Sequence, residues 1–413
     1  MEAHYSAQPG EFAALVAYHF EAAGQYVQAA VHEAQAAKWL GATNSAQALK
    51  HWRKVWTLLD GQEHSAQADS LRALAGGRIV FLGWREGISA QEAQQIIHAA
   101  IDLAHEADTR LVQLLLYAQG RILQSGGGPA DDYVACIQKA IALSQPGKDV
   151  GRIAMLHVAL SQAYAWAGLL REGLAASDVA MAGLEQIDRF DREFMDLSIE
   201  HWALGIRSRL LIRMARFQEA QKTLEQMLVM DKDLDDPVIS QIACHLQFEL
   251  ASSSGHADQA RFHAEKVSQI AAQFASPYSR VFALWCAGSA QITSNDFAAA
   301  LQSYTLALQV ITQTKVAVEF ETEIQAGLAQ SCLMVGDHKR AVQVASQALA
   351  LSRKRNNRLS ECKALIVCGA ALKTSDDRAN ASEADALFAQ AKQLIAQTGA
   401  KIFEGDLQLA RST

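Results

Sequence analysis

Along most of the chain apolar residues recur at spacings of three and four, with little sustained alternation, which is the period of helices that bury one face. In the stretch from Ala298 to Val310 the larger apolar groups are Leu301, Tyr304, Leu308 and Val310, with Ala300 and Ala307 at close contacts and Asp296 placed as an N-cap. A longer period lies over this one. A small or turn residue is followed by Ala five positions on, a side chain at nine and a small apolar residue at twelve. Clear copies are Gly24-Ala29-Glu33-Ala36, Gly255-Ala260-Ala264-Val267, Asn295-Ala300-Tyr304-Ala307 and Gly336-Ala341-Ala345-Ala348. Ala215-Ala220-Leu224-Met227 is a weaker copy, and Gly168-Gly173-Ser177-Ala180 has Gly for the first Ala. Steps of 40, 40 and 41 residues separate positions 215, 255, 295 and 336, the spacing of stacked helical hairpins. The same reading predicts helix pairs over 11–41, 45–84, 89–125, 130–167, 169–214, 216–254, 256–294, 296–335 and 337–374. A last helix near 381–399 has Ala384, Phe388 and Ala391 at the repeat spacing.

Gly288 stands seven residues before Asn295, where a tetratricopeptide hairpin has a small residue so that its two helices touch. The expected fold is therefore all-α, a tetratricopeptide-like superhelical solenoid of about nine helix hairpins. Asp236-Pro237 and Ser276-Pro277 read as N-caps followed by Pro at the first helical position. Gly126-Gly127-Gly128-Pro129 and Gln145-Pro146-Gly147 are the best breaks. They divide an N-terminal repeat lobe, 1–128, from the more regular repeats of 129–413, in what we expect to be one continuous solenoid.

Composition narrows the function classes. Half of the 413 residues are apolar, so burial is ample, and 37 basic against 44 acidic residues leave a net charge of −7. The charges are interspersed and no broad basic face appears, which weighs against nucleic-acid binding. The densest basic cluster is Arg353, Lys354, Arg355 and Arg358. A solvated helix end accounts for it, because cations there complement the helix dipole; contact with an acidic partner or a phosphate backbone is the alternative. Six scattered Cys residues, at 136, 244, 286, 332, 362 and 368, form no C-x-x-C pair and fit a reducing compartment. Met1 to Gly10 lacks the basic start and apolar run of a signal peptide. The longest uncharged stretch, Phe297 to Thr314, holds Gln302, Ser303, Gln309 and Gln313, so it does not read as a membrane span. The expected location is cytoplasmic.

Candidate chemistry is sparse. Gly126 to Pro129 lacks the Gly-Lys-Ser/Thr of a phosphate loop, and Gly76-Gly77 with Gly83 forms no dinucleotide fingerprint. Those glycines lie among Leu71, Leu74, Ile79 and Leu82, one helix face, where they permit close helix crossing. The 13 His residues include no H-E-x-x-H; His98/His105 and His256/His263 are each about two helical turns apart, too far for one metal without a third ligand. His19, between Tyr18 and Phe20, reads as a packed core residue. Asp235-Asp236 and Asp376-Asp377 read as caps or loop residues. The seven Trp residues (39, 52, 56, 84, 166, 202 and 285) either fill gaps between helices or line a groove; core is the preferred reading, with Trp52 at the aromatic position of its repeat. No catalytic, cofactor-binding or metal-ligating residue is therefore assigned, and no cofactor is expected.

The segment from Ala13 to Gly24, with Ala36-Ala37-Lys38-Trp39, Ala48-Leu49-Lys50-His51-Trp52-Arg53 and Leu82-Gly83-Trp84-Arg85-Glu86-Gly87-Ile88-Ser89, resembles a known helical repeat region. It is that of bacterial proteins combining a class III adenylate/guanylate cyclase domain, a STAND-type AAA ATPase and C-terminal tetratricopeptide-like repeats. The resemblance covers residues 11–110; beyond them the likeness is generic tetratricopeptide. The cyclase's metal-binding aspartates and the ATPase's phosphate loop have no counterpart among these residues. The resemblance implies a regulatory or sensor arm that binds a protein, a peptide or a small effector in its concave groove, without catalysis, membrane or nucleic acid. The alternative is a C-terminal part of a cyclase whose two-metal site lies upstream. A STAND-type transcription regulator ranks last, since no helix-turn-helix with a basic recognition helix is apparent.

Overall fold

The computed structural model describes residues 10, 12–41, 44–104, 108–145, 147–195, 198–230, 237–273, 276–374 and 378–412. Among these residues the regular structure is helical, with no strand. In chain order the α-helices are Ala13–Ala22 (α1), Tyr26–Leu40 (α2), Ser45–Leu58 (α3), Ala66–Glu86 (α4), Ala90–Leu103 (α5), Thr109–Ser125 (α6), Ala130–Ala142 (α7), Val150–Ala167 (α8), Leu170–Gly183 (α9) and Arg189–Met195 (α10). Then come Ile199–Arg213 (α11), Phe217–Met230 (α12), Pro237–Ser253 (α13), Ala257–Gln273 (α14), Pro277–Thr293 (α15), Phe297–Thr314 (α16), Glu321–Met334 (α17), His338–Lys354 (α18), Arg358–Lys373 (α19), Arg378–Thr398 (α20) and Glu404–Ser412 (α21). The chain is a tetratricopeptide-like solenoid, with a helix pair in each predicted window. The window 169–214 holds more than a pair: a 3₁₀ turn, Leu184–Gln186, and the seven-residue α10 lie between α9 and α11.

The repeat has a plain physical content. Its first residue takes the left-handed conformation that ends one helix and turns into the next, with φ of +73° at Gly24, +72° at Gly168, +79° at Gly255, +85° at Gly336 and +60° at Asn295. Glycine and asparagine adopt it at little cost; Ala215, at +57°, is the weak copy because its Cβ crowds there. The positions five, nine and twelve residues on are buried in every copy, from Ala29, Glu33 and Ala36 to Ala341, Ala345 and Ala348. Position nine inserts into its neighbours. Tyr304 of α16 lies between two glycines: a Cβ on Gly288 of α15 would stand 2.8 Å from its ring, and one on Gly327 of α17 2.5 Å. Its hydroxyl meets Ser289 Oγ at 3.0 Å. Tyr133 against Gly120 and Phe388 against Gly369 repeat the arrangement. The caps are ordinary: Asp296 accepts from the Ala299 amide, and Ser276 from that of Ser279 ahead of Pro277. Asp236, the predicted cap of Pro237, lies outside the described residues, as do Asp235, Asp376, Asp377, His105 and Pro146.

The superhelix closes on itself. Turns of its first half meet connections of its second. The Ala130 amide donates to the Arg355 carbonyl at 2.8 Å, and Asn356 donates to Asp131 at 2.9 Å. Arg358 donates to the Ala167 carbonyl at 2.7 Å and Arg171 to that of Ala396 at 3.4 Å. Gly87, after α4, comes so close to Thr314 that a Cβ there would be 3.1 Å from its carbonyl oxygen. In the interior behind this seam Arg121 of α6 pairs with Glu319 at 3.6 Å, both side chains nearly inaccessible.

Because Tyr304 fills the space left by two absent side chains, Gly327→Val should cost about 1–3 kcal/mol or more by overpacking. In denaturant unfolding, Tyr304→Leu should relieve part of that cost, so that the double variant is less destabilised than the sum of the two. Strict additivity would mean the two residues do not share this space.

Candidate functional site

Closure turns the concave side of the solenoid into an interior. Alternate helices α4, α6, α8, α11, α13 and α15 face it, and they bring aromatic side chains together from distant repeats. Trp84 of α4 meets Tyr278 of α15 edge-on at 4.8 Å. Trp166 of α8 and Trp285 of α15 lie 5.5 and 4.9 Å from Phe320, centroid to centroid. Tyr117 of α6 lies 5.8 Å from Trp202 of α11. A cavity of about 120 Å³ remains between them, bordered by Trp84, Tyr117, Trp166 and Trp202 and by the polar Arg121, Gln162, His201 and Arg209. A space of this size takes one side-chain-sized group or a small ring. Trp166, Trp202 and Gln162 are part-exposed, so the cavity has a wet side.

His201 gives the cavity its specific polarity. Its Nδ1 lies 2.8 Å from Ser198 Oγ, and the Ser198 hydroxyl donates to Glu200 at 3.4 Å. The direction of the bond between Ser198 and Nδ1 follows the imidazole tautomer, and Nε2 takes the complementary role. That Nε2 is buried with no hydrogen-bond partner.

Charge inside the superhelix is paired. Burial pushes the Glu319 carboxyl above its usual range, and Arg121 pulls it back in part. Arg213 of α11 reaches Glu249 at 3.3 Å and Glu323 at 3.5 Å, with Arg209 3.4 Å from Glu249. His245 of α13 lies among them, 4.5 Å from the Phe282 ring and 4.8 Å from Trp285. Burial first, then Arg209 and Arg213, hold it down to about 3, against the opposing pull of Glu249.

Trp52 and Trp285 are buried as core, but Trp84, Trp166 and Trp202 line the cavity and Trp39 is exposed. Trp84 is buried in the core as well as bordering the cavity, so the core preference fails for Trp39, Trp166 and Trp202; a tryptophan on an inner helix looks the same in sequence as one in the core. His19 is exposed, because the buried face of α1 is Ala13, Val16 and Ala17. The basic cluster divides: Arg353 and Lys354 are exposed in the last turn of α18, as a solvated helix end expects, whereas Arg355 binds Glu321 at 2.6 Å and the Val318 carbonyl at 3.0 Å, and Arg358 crosses the seam. Gly76, Gly77 and Gly83 do permit close crossings, against Ala100, Leu115 and Ile88. His256 and His263 both border a surface groove between α12, α13 and α14. Among the described residues no group of three His, Cys, Asp or Glu is placed to hold a metal ion, and no helix is long and apolar enough to cross a membrane.

No protein-family model matches the sequence, and no curated protein does. Solved structures match in fold. Aspartyl phosphate phosphatase F from Bacillus subtilis superposes with a TM-score of 0.50 at 12% identity, over 85% of this chain and 89% of that one. A Rap protein complexed with competence and sporulation factor gives 0.45 at 10% identity over 94% and 98%. A STAND signal-transduction ATPase with a tetratricopeptide repeat sensor from Pyrococcus horikoshii gives 0.45 at 11%, over 88% of this chain and 55% of that one. At such identities the likeness is one of fold.

The depressed His245 has a consequence for stability. Neutral when folded and protonated below about 6.5 when unfolded, it makes the unfolded chain bind the extra proton. Its contribution is present above pH 6.5 and is lost as pH falls towards 3. Between pH 6 and 4 the native protein should lose about 1.4 kcal/mol per pH unit more than His245→Phe, measured by urea unfolding. Parallel pH profiles would place the imidazole in water.

Proposed function

We propose that the chain is a non-catalytic recognition module, a helical-repeat scaffold that binds a protein, a peptide or a small effector inside its superhelix. The observation that carries this reading is the aromatic cavity itself, enclosed by inner helices from both halves and bordered by the polar Arg121, Gln162, His201 and Arg209. Solenoids of stacked helix pairs expose a continuous inner surface suited to recognition. A cavity lined by aromatics with one or two placed polar groups is the usual build of a specificity pocket. The ligand offers a side-chain-sized group that fills this cavity.

The resemblance of residues 11–110 to the repeat arm of cyclase–ATPase proteins makes this module a regulatory arm, working in the cytoplasm, in our reading. The repeats of 1–128 and 129–413 then act as one solenoid, since ligand-facing residues come from both. The competing reading, a cyclase fragment, requires upstream residues; the purified 413-residue chain should convert no ATP to cyclic AMP.

Gly205 of α11 tests the cavity directly. A Cβ there would sit 3.6 Å from Leu246 and 3.7 Å from Met227, in ordinary contact, so Gly205→Leu fills the space without breaking the helix. Photo-crosslinking capture from the native lysate should recover a partner with the native protein and lose it at least about tenfold with the filled variant. Equal capture by both would remove the cavity from the binding surface.

A further inference from the structure

The N-terminal half of the inner surface is already occupied, by the chain itself. The segment Leu184 to Met195, the 3₁₀ turn and α10, leaves the helical stack after α9 and lies across α2, α4, α6 and α8. It is held by three kinds of contact. Asp191, 1% exposed, receives Arg152 of α8 at 2.6 Å and Arg110 of α6 at 3.6 Å, while Arg110 also pairs with Asp188 and stacks on Phe190, 4.6 Å from its ring centroid. Phe194 lies 6.0 Å from Phe81 and touches Gly77, where a Cβ would come within 3.2 Å of its ring. Its carbonyl accepts from Arg78. Glu193 faces Lys38 of α2 at 4.0 Å. These are the contacts a solenoid makes with a bound helical peptide: arginines on a carboxylate, an arginine on a backbone carbonyl, and an aromatic anchor one helical turn further on.

We propose that α10 is a resident ligand of the groove, and that the partner is a protein segment carrying the same chemistry, an acidic residue followed three positions later by an aromatic one on one helix face, which displaces it. This rests on the reading of the inner surface as the binding surface. Asp191 and Phe194 are spaced i, i+3, so both face the inner wall together. A resident segment tethered at both ends has an effective concentration of about 1 mM, enough to exclude a micromolar competitor by about a thousandfold. The groove is thereby kept from casual peptides.

Gly151, near the start of α8, is the lever. A Cβ on it would stand 2.0 Å from the Gln186 carbonyl oxygen and 2.7 Å from the Ile187 amide nitrogen. Gly151→Ala suits the helix and forces the segment off its seat. The probe is a fluorescent peptide with the sequence of residues 186–197. Gly151→Ala should bind it about a hundredfold or more tighter than the native protein, and a peptide carrying the D191N and F194A changes should bind neither. Equal binding by the native protein and Gly151→Ala, or equal binding of both peptides, would overturn the proposal. Should Gly151→Ala fail to fold, hydrogen exchange on the native protein decides. Amides of 189–195 that exchange about a hundredfold faster than those of α8 and α11 support a segment that opens locally. Exchange only through global unfolding makes it a fixed wall and ends the idea. The Gly205→Leu capture does not depend on α10, so loss of partner there with no peptide binding here sinks this inference and spares the cavity.

Discussion

The interior of this solenoid depends on one charge pair. Arg121 belongs to the first half of the superhelix and Glu319 to the second, and they meet where neither reaches water. Breaking such a pair leaves an uncompensated buried charge, at a cost of about 3–5 kcal/mol. A buried pair is weak evidence for stability, but it favours one register, the one that sets α6 opposite Glu319. The surrounding seam is made largely of polar contacts at turns, such as Ala130 to Arg355 and Arg358 to Ala167. Their net worth is modest, about 1 kcal/mol each. The seam is thus specific without being strong.

Everything inside follows from that register. Trp84 reaches Tyr278, and Trp166 reaches Phe320, because the first half of the stack folds back against the second. The concave surface shrinks to a cavity of about 120 Å³, with α10 seated beside it. On the reading that α10 is a resident ligand, a partner must displace it to reach the inner wall, and the partner's apparent affinity is reduced accordingly.

The repeat was legible in the sequence because each of its positions answers a local demand. A left-handed turn wants Gly or Asn, and a helix crossing wants Ala or Gly, so Gly255, Asn295 and Ala300 report their own geometry. The fold class and the windows of the helix pairs follow from that. What remained hidden depends on non-local juxtaposition. Arg358 looks like part of any basic helix end until Ala167 of the first half arrives beside it, and Arg355 until Val318 and Glu321 do. Trp84, Trp166 and Trp202 carry no mark that separates a cavity wall from a core. α10 is too short to show a helical period, although Asp191 and Phe194 at i, i+3 were there to be read. His19 failed for a simpler reason: it lies one step off the buried face of α1.

The amide of Ala130 reports the seam most directly. At the first position of α7 it has no partner within its own helix, and its bond is to the Arg355 carbonyl across the closure. Residue-resolved hydrogen exchange should find it protected in the native protein. In Glu319→Ala that protection should be lost while the amides around Tyr304 keep theirs. Exchange of Ala130 at the free-peptide rate in the native protein would mean that the solenoid stands open, and the closed interior described above would not be its resting state.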